Sequence, residues 1–345
     1  MKAIVVEQHG EIDQLTLHQD YSVPKLGAKD ARICIKYCAL NHLDLWLRRG
    51  GTGDRLTLPR ISGSDIVGIV EEIGDEVRHL KVGQSVLIYP GFGCGNCEAC
   101  ATGKETMCRQ FQIIGYHVDG GYADFVTVPA SCAVPIEAND LSRWAAVPVS
   151  YITAWNALVT KGGLHINDTV VIWGAAGGIG YAALQIASGI GAEVIAIVGS
   201  PDKAAFLQEQ GFTGHILTRD KNLSEEIRKL TQKRGATMVL DHVGAKTWQQ
   251  SISFLSRGGR LITCGVTTGY KSEIDIRQIF GKQISIYGSW MGDRSDFLQV
   301  VSFLQKNPSH LPYLYQEFAL EEAREAQECL EKGNHVGKIV LNMDR

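Results

Sequence analysis

The stretch TVVIWGAAGGIGYAALQIASGIGAEVIAIV, residues 169–198, decides the fold. It opens with a β-branched run at 169–173, turns through G-A-A-G-G-I-G at 174–180, continues as an Ala/Leu/Ile stretch of helical texture to about 190, and closes with a second apolar run at 193–198. Residues 169–192 carry no charged side chain, which is long enough to span a bilayer. But Gly174, Gly177, Gly178, Gly180, Gly189 and Gly191 interrupt the run, as expected of a buried strand, turn and helix in an α/β sheet. Glycines at such a turn let the backbone approach a pyrophosphate, and the helix that follows offers unpaired N–H groups and partial positive charge. With a strand before, a helix after and a second strand at the right distance, the segment reads as a dinucleotide-binding turn. Gly174, Gly177, Gly178, Ile179 and Gly180 are its expected contacts.

Downstream, the same alternation continues. Helix through KAAFLQEQ, strand HILT, helix NLSEEIRKLTQ, strand TMVLDHV, helix KTWQQSISFL, and the strands of GRLITCGV and QISIYGSW follow in order. Asn222 with Glu225 marks a capped helix start. Six strands with intervening helices predict a doubly wound parallel sheet. The tip of its second strand selects the dinucleotide. NAD sites commonly place Asp or Glu there for the ribose 2′-hydroxyl, whereas this chain reads V-G-S-P-D-K, with Gly199 and Ser200 at the tip and Lys203 just beyond. Ser200, Lys203 and Arg219 suit a 2′-phosphate, so NADP(H) is expected before NAD(H). Asp202 argues the other way, but it lies past the tip, where helix capping is its ordinary role.

Upstream, the first 130 or so residues are short strands and turns (KAIVV, ARICIKYCAL, DIVGIVEEIG, SVLIYP) without a long 3.6-residue period, predicting a mostly antiparallel β domain. Within it, Cys94, Cys97, Cys100 and Cys108 form C-x2-C-x2-C-x7-C in a glycine-rich loop. Four thiolates at this spacing suit one structural zinc ion and leave no open position for substrate. The other five cysteines are scattered, unlike an extracellular disulfide framework, so a cytoplasmic setting is expected. The start MKAIVVEQHGEID does not read as a secretory signal. With 34 Lys+Arg against 37 Asp+Glu the net charge is -3, which excludes a general pull toward nucleic acid or an acidic membrane.

The glycine turn and the cysteine lobe, with N-H-L-D-L-W-L-R-R-G (41–50), G-S-D-I-V-G-I-V-E-E-I-G (63–74), T-A-W (153–155), V-L-D-H-V-G (239–244) and G-K-I-V-L (337–341), resemble the medium-chain dehydrogenase/reductase superfamily over essentially the whole chain. The cysteine lobe looks like the zinc-type alcohol dehydrogenases, and the surroundings of Asn41 look like the quinone oxidoreductases. The resemblance implies a GroES-like domain at 1–150 with its zinc lobe at 94–108, a Rossmann domain at 151–291, and a C-terminal return at 292–345. It implies Gly265, Val266 and Lys338 as further cofactor contacts, places His42 beside the cofactor pyrophosphate, and implies a homodimer or homotetramer.

The departures from that resemblance direct the chemistry. The three catalytic-zinc ligand positions fall on Asn41, Ser64 and Val149, the proton-relay hydroxyl falls on Leu43, and the tyrosine acid of related enone reductases falls on Trp46. The substrate oxygen must then be polarised by hydrogen-bond donors, for which Asn41, His42 and Thr153 are the candidates. Hydride transfer to a quinone, enone or reactive carbonyl is the expected activity. Two alternatives stand beside it: an alcohol dehydrogenase whose zinc is held by His42, Asp44, Asp65 or His117, and an NADPH-binding sensor of low turnover.

Overall fold

In the computed structural model, which describes residues 1–345, the chain divides into two compact units. The first comprises Met1–Val149, Asp293–Lys306 and Leu311–Arg345; the second comprises Ser150–Gly292 and Asn307–His310. No helix is long and apolar enough to cross a membrane.

The first unit is built on a seven-stranded sheet in the order Ala133–Pro135, Ser85–Ile88, Asp65–Ile73, Asp30–Ala39, Lys338–Asn342, Leu314–Ala319, with Phe125–Pro129 also pairing Asp30–Ala39. Its pairings are antiparallel apart from the parallel pair Leu314–Ala319 and Lys338–Asn342. In Asp30–Ala39 the alternation is that of a half-buried strand: Ala31, Ile33 and Ile35 are buried, and the residues between them are only partly covered. The register matters for the site. Ala39 lies opposite both Asp65 and Val340, so the segment around Asn41, the start of Asp65–Ile73 and Lys338 meet at one end of the sheet.

Directly after this meeting point the chain forms a helix, His42–Arg49. Sequence pattern does not announce it, because eight residues are too few for a clear 3.6-residue period. Local bonding starts it: the Asp44 carboxylate accepts the backbone N–H of Asn41 at 2.7 Å, holding the first turn. Packing completes it. Leu45 and Leu47 are buried, and the fully buried Arg48 donates to Gln327 at 2.9 Å, to the Gly10 carbonyl at 3.2 Å and to Glu331. The strand Leu314–Ala319, of mixed composition and only partly buried, is equally silent in the sequence; its hydrogen-bonded neighbour makes it a strand.

The second unit contains the six-stranded parallel sheet expected from the sequence: β1 Thr169–Trp173, β2 Glu193–Val198, β3 His215–Thr218, β4 Ala236–Asp241, β5 Leu255–Thr263 and β6 Ser285–Gly288. Their spatial order is β3-β2-β1-β4-β5-β6, the doubly wound order in which the chain reverses direction between β1 and β4. Ligands of such sheets bind outside the carboxyl ends of the strands at that reversal. Val171, Trp173, Ile195, Ile197, Val239 and Leu261 form the core beneath it.

Candidate functional site

The turn between β1 and the helix Gly178–Ile190 is shaped by its glycines. Gly174 takes φ +59°, a conformation that disfavours any side chain. A Cβ on Gly180 would lie 2.1 Å from the Gly174 carbonyl oxygen, so only glycine allows the helix to pack this closely on the turn. The helix starts after Gly177, which has no side chain to cap its first N–H groups. Gly178, Ile179 and Gly180 therefore present the donors of a helix N-terminus, and these suit a pyrophosphate. The geometry fits the dinucleotide expected from the sequence.

A buried carboxylate braces this region. Asp241, at the end of β4, accepts the N–H groups of Val243 at 2.9 Å and Gly244 at 3.0 Å and the hydroxyls of Thr247 at 2.8 Å and Ser251 at 2.6 Å. Ser251 in turn accepts the indole N–H of Trp173 at 2.8 Å. His242 bonds the Trp173 carbonyl oxygen at 2.7 Å, and burial holds its imidazole below the usual pKa. A carbonyl acceptor means that Nε2 carries the proton. A Cβ on Gly265 would lie 2.8 Å from the His242 carbonyl, so Gly265 is also held to glycine, while Val266 beside it is exposed. The motif V-L-D-H-V-G supports the family resemblance without disclosing these roles of Asp241 and His242. An acid at the end of an apolar strand, with a histidine directly after it, is the signal that the sequence does carry.

At the tip of β2, a Cβ on Gly199 would meet nothing within 4 Å. Ser200, rather than Asp202, is the N-cap of the helix Pro201–Glu209, its hydroxyl accepting the Lys203 N–H at 3.4 Å. Pro201 follows it at the first helical position, where a missing N–H costs nothing. Burial and then the Arg219 guanidinium hold the Lys203 ammonium below its usual pKa. Arg219 is placed there by its own backbone, whose N–H bonds the Val198 carbonyl at 3.2 Å. Two cations thus stand near each other at the strand tip.

The four cysteines of the first unit come together, with their sulfur atoms all within 4.8 Å of one another. A Cβ on Gly93 would lie 2.5 Å from the Cys100 sulfur, so the lobe closes only over glycine. Cys108 Sγ accepts the N–H groups of Cys94 and Gln110, each at 3.4 Å, and these bonds lower its thiol to about 6. Sulfurs this close, one already disposed to ionise, fit tetrahedral zinc, for which Zn–S bonds of about 2.3 Å are usual. No other group of three or more His, Cys, Asp and Glu side chains is arranged to hold a metal ion.

Asn41, Asp65 and Lys338 meet at the sheet end defined above. The Lys338 ammonium donates to Asn41 Oδ1 at 2.7 Å and to Asp65 Oδ2 at 2.9 Å. The other Asp65 oxygen accepts the Val149 N–H at 2.7 Å. All four residues are buried, Asp65 completely. Beneath them Asp44 accepts Ser62 at 2.7 Å, Gly63 N–H at 3.1 Å and the Tyr122 hydroxyl at 3.2 Å; burial pushes its carboxyl up to about 6 against these bonds. The rival zinc ligands do not converge. Asp44 and Asp65 are each committed to several donors, His117 Nδ1 accepts the Ile113 N–H at 2.9 Å, and His42 is an exposed residue in the first turn of its helix. Thr153 belongs to the second unit, buried on the helix Pro148–Trp155, and Trp46 of the first unit is exposed. Lys338, expected on the cofactor, thus has an anchorage within the first unit that the sequence does not disclose.

Residues 27–138 match the model of the alcohol dehydrogenase GroES-like domain, and residues 178–306 that of the zinc-binding dehydrogenases. An NAD-dependent alcohol dehydrogenase of Sulfolobus acidocaldarius is 32% identical over 351 residues, which cover 99% of this chain and 100% of that protein. A crystal structure of an NAD-dependent alcohol dehydrogenase superposes with a TM-score of 0.94 at 34% identity, covering 99% of this chain and 100% of the other. A cobalt- and zinc-bound thermostable alcohol dehydrogenase from Pyrobaculum aerophilum gives a TM-score of 0.87 at 32% identity, with 99% of each chain covered. Similarity sustained along the whole chain, through both the unit that carries the cysteine lobe and the unit that carries the glycine turn, means that this protein belongs to the medium-chain dehydrogenase/reductase superfamily, as an oxidoreductase of the zinc-type alcohol dehydrogenase family.

Proposed function

We propose that the protein is an NADP(H)-dependent reductase that transfers hydride to a quinone, an enone or a reactive carbonyl without a catalytic metal. The reaction is balanced as carbonyl plus NADPH plus a proton giving alcohol plus NADP⁺, or quinone giving hydroquinone. The observation that carries this reading is the Lys338 ammonium bonded to Asn41 and Asp65. Where the family resemblance puts a metal ligand, this chain has an amide whose oxygen is already committed to a buried cation. Asn41, Ser64 and Val149 do not fit as a zinc ligand set, and a second cation beside the ammonium would be repelled. With no Lewis acid, donors must stabilise the charge that develops on the substrate oxygen, and Asn41, His42 and Thr153 are the groups assigned to it.

The test is steady-state NADPH and NADH oxidation against 1,4-benzoquinone, methyl vinyl ketone and simple aldehydes, run beside NAD⁺ and NADP⁺ reduction by primary and secondary alcohols. Turnover of the first set supports the proposal. The names of the relatives favour a second reading, NAD-dependent alcohol oxidation, and faster turnover of the second set would establish it instead. Binding of cofactor without turnover of either set would favour a sensor.

The NADP(H) preference rests on Lys203 and Arg219 at a tip without an acid. Lys203→Ala should weaken NADPH binding by about 1–3 kcal/mol, a typical loss for a charge-assisted contact, and leave NADH unchanged. Fluorescence titration measures both. Equal or tighter NADH binding by the unmodified protein would overturn the preference and point to Asp202 as the ribose partner. Zinc is assigned to Cys94, Cys97, Cys100 and Cys108, where it would tie the loop together.

Self-association is proposed through β6. It is the last strand of its sheet, its four residues are all exposed, and Ile276 and Phe280 of the neighbouring helix Ile276–Lys282 are 65% and 68% exposed. An open strand edge is complementary to a second copy of itself. Light scattering should give a dimer or a tetramer, and Ile286→Lys should shift it toward monomer.

A further inference from the structure

Two buried polar atoms at the Asn41 end of the sheet have no hydrogen-bond partner: Asn41 Nδ2 and Ser64 Oγ. Asn41 is 9% exposed and Ser64 is fully buried. Strand register brings their segments together, because Ala39 is paired with Asp65, so the residues just beyond each lie at the same sheet end. Unpaired buried donors are costly, and two of them at one sheet end mark a place where an oxygen acceptor belongs.

The orientation of the Asn41 amide is not free. An ammonium has only donors, so the atom it touches at 2.7 Å must be the amide oxygen, and the NH₂ group is turned to the opposite side. Lys338 is itself held by Asp65 at 2.9 Å, and Asp65 is held by the Val149 N–H at 2.7 Å. The chain of bonds runs from backbone to carboxylate to ammonium to amide, and it ends in N–H donors aimed away from the ammonium. We infer that Lys338 and Asp65 are positioning residues that fix the Asn41 NH₂, together with the Ser64 hydroxyl, as a donor pair for the substrate oxygen. This deepens the proposed function and rests on it. The pair bonds a carbonyl oxygen weakly and an oxygen that is gaining negative charge strongly, so its benefit falls on the chemical step.

The test uses the zinc-loaded protein and 4-dimethylaminocinnamaldehyde, whose absorbance moves to the red when its carbonyl oxygen is polarised. With NADP⁺, which has no hydride to give, the wild type should show the red shift. Lys338→Met should lose most of it and lower kcat for NADPH oxidation with the same aldehyde by at least ~10-fold, the scale of a misoriented catalytic contact. KM and the Kd for NADPH should change much less. Because Lys338→Met leaves Asp65 as a lone buried charge, Lys338→Met/Asp65→Asn is measured beside it and should show the same loss in a better-folded protein. A retained red shift with weakened NADPH binding would overturn the inference and make Lys338 a cofactor ligand. A retained shift with unchanged kcat would also overturn it, with water as the partner of the two donors. If the wild type neither binds this aldehyde nor turns over any carbonyl or quinone, the functional reading itself fails, whatever the variants do.

Discussion

Replacing Asn41 with alanine should lower kcat with a quinone or enone by about 10²–10³, the usual cost of losing one donor to a developing oxyanion. NADPH affinity and zinc content should stay nearly unchanged, since neither the glycine turn nor the cysteine lobe involves Asn41. Asn41 also accepts a bond from Lys338, so the substitution carries a structural cost as well. A hydrogen bond to a charged group contributes about 1.5–3 kcal/mol, so the melting temperature will fall too. The two effects separate when kcat and melting temperature are measured on the same preparation: a purely structural role lowers the second and spares the first in the molecules still folded. Asn41→Cys should not restore alcohol oxidation, because Ser64 and Val149 still provide no ligand. Full activity in Asn41→Ala would remove it from the mechanism and leave His42 and Thr153.

The second large effect concerns the cysteine lobe. Metal analysis should return one zinc per chain, bound by Cys94, Cys97, Cys100 and Cys108. Cys97→Ser should lower the melting temperature by on the order of 10 °C, about 3 kcal/mol for a unit of this size, because metal binding free energy in such sites is folding free energy. Cofactor affinity should change far less. Two zinc ions per chain, with activity abolished when a chelator removes only one, would overturn metal-free catalysis.

The glycine turn and the cysteine lobe are both legible in the amino-acid sequence. The turn is readable because each glycine answers a local demand: a positive φ at Gly174, a 2.1 Å approach at Gly180, an uncapped helix start at Gly177. Strict strand–helix alternation discloses the doubly wound parallel sheet, whereas its order β3-β2-β1-β4-β5-β6 comes from the tertiary structure, because right-handed crossovers allow more than one order. The helix His42–Arg49 is not readable. Its start depends on one side chain reaching back to the backbone, and its burial on Gln327 and Glu331 far along the chain. The cap of Pro201–Glu209 falls on Ser200 and not on the expected Asp202 for a related reason: the choice between them depends on where the first helical turn begins, to within two residues.

By itself the sequence determined the cofactor turn, the metal lobe and the two kinds of sheet, because each is a pattern closed within a few tens of residues or a texture repeated along the chain. It also named Asn41 and Lys338 separately, one for the substrate and one for the cofactor. Only the tertiary structure decided that they bond to each other. Lys338 stands 297 positions from Asn41 and 273 from Asp65, and nothing local links them. Two strand registers do so, Ala39 against Asp65 and Ala39 against Val340, each fixed by which faces of three strands must be buried.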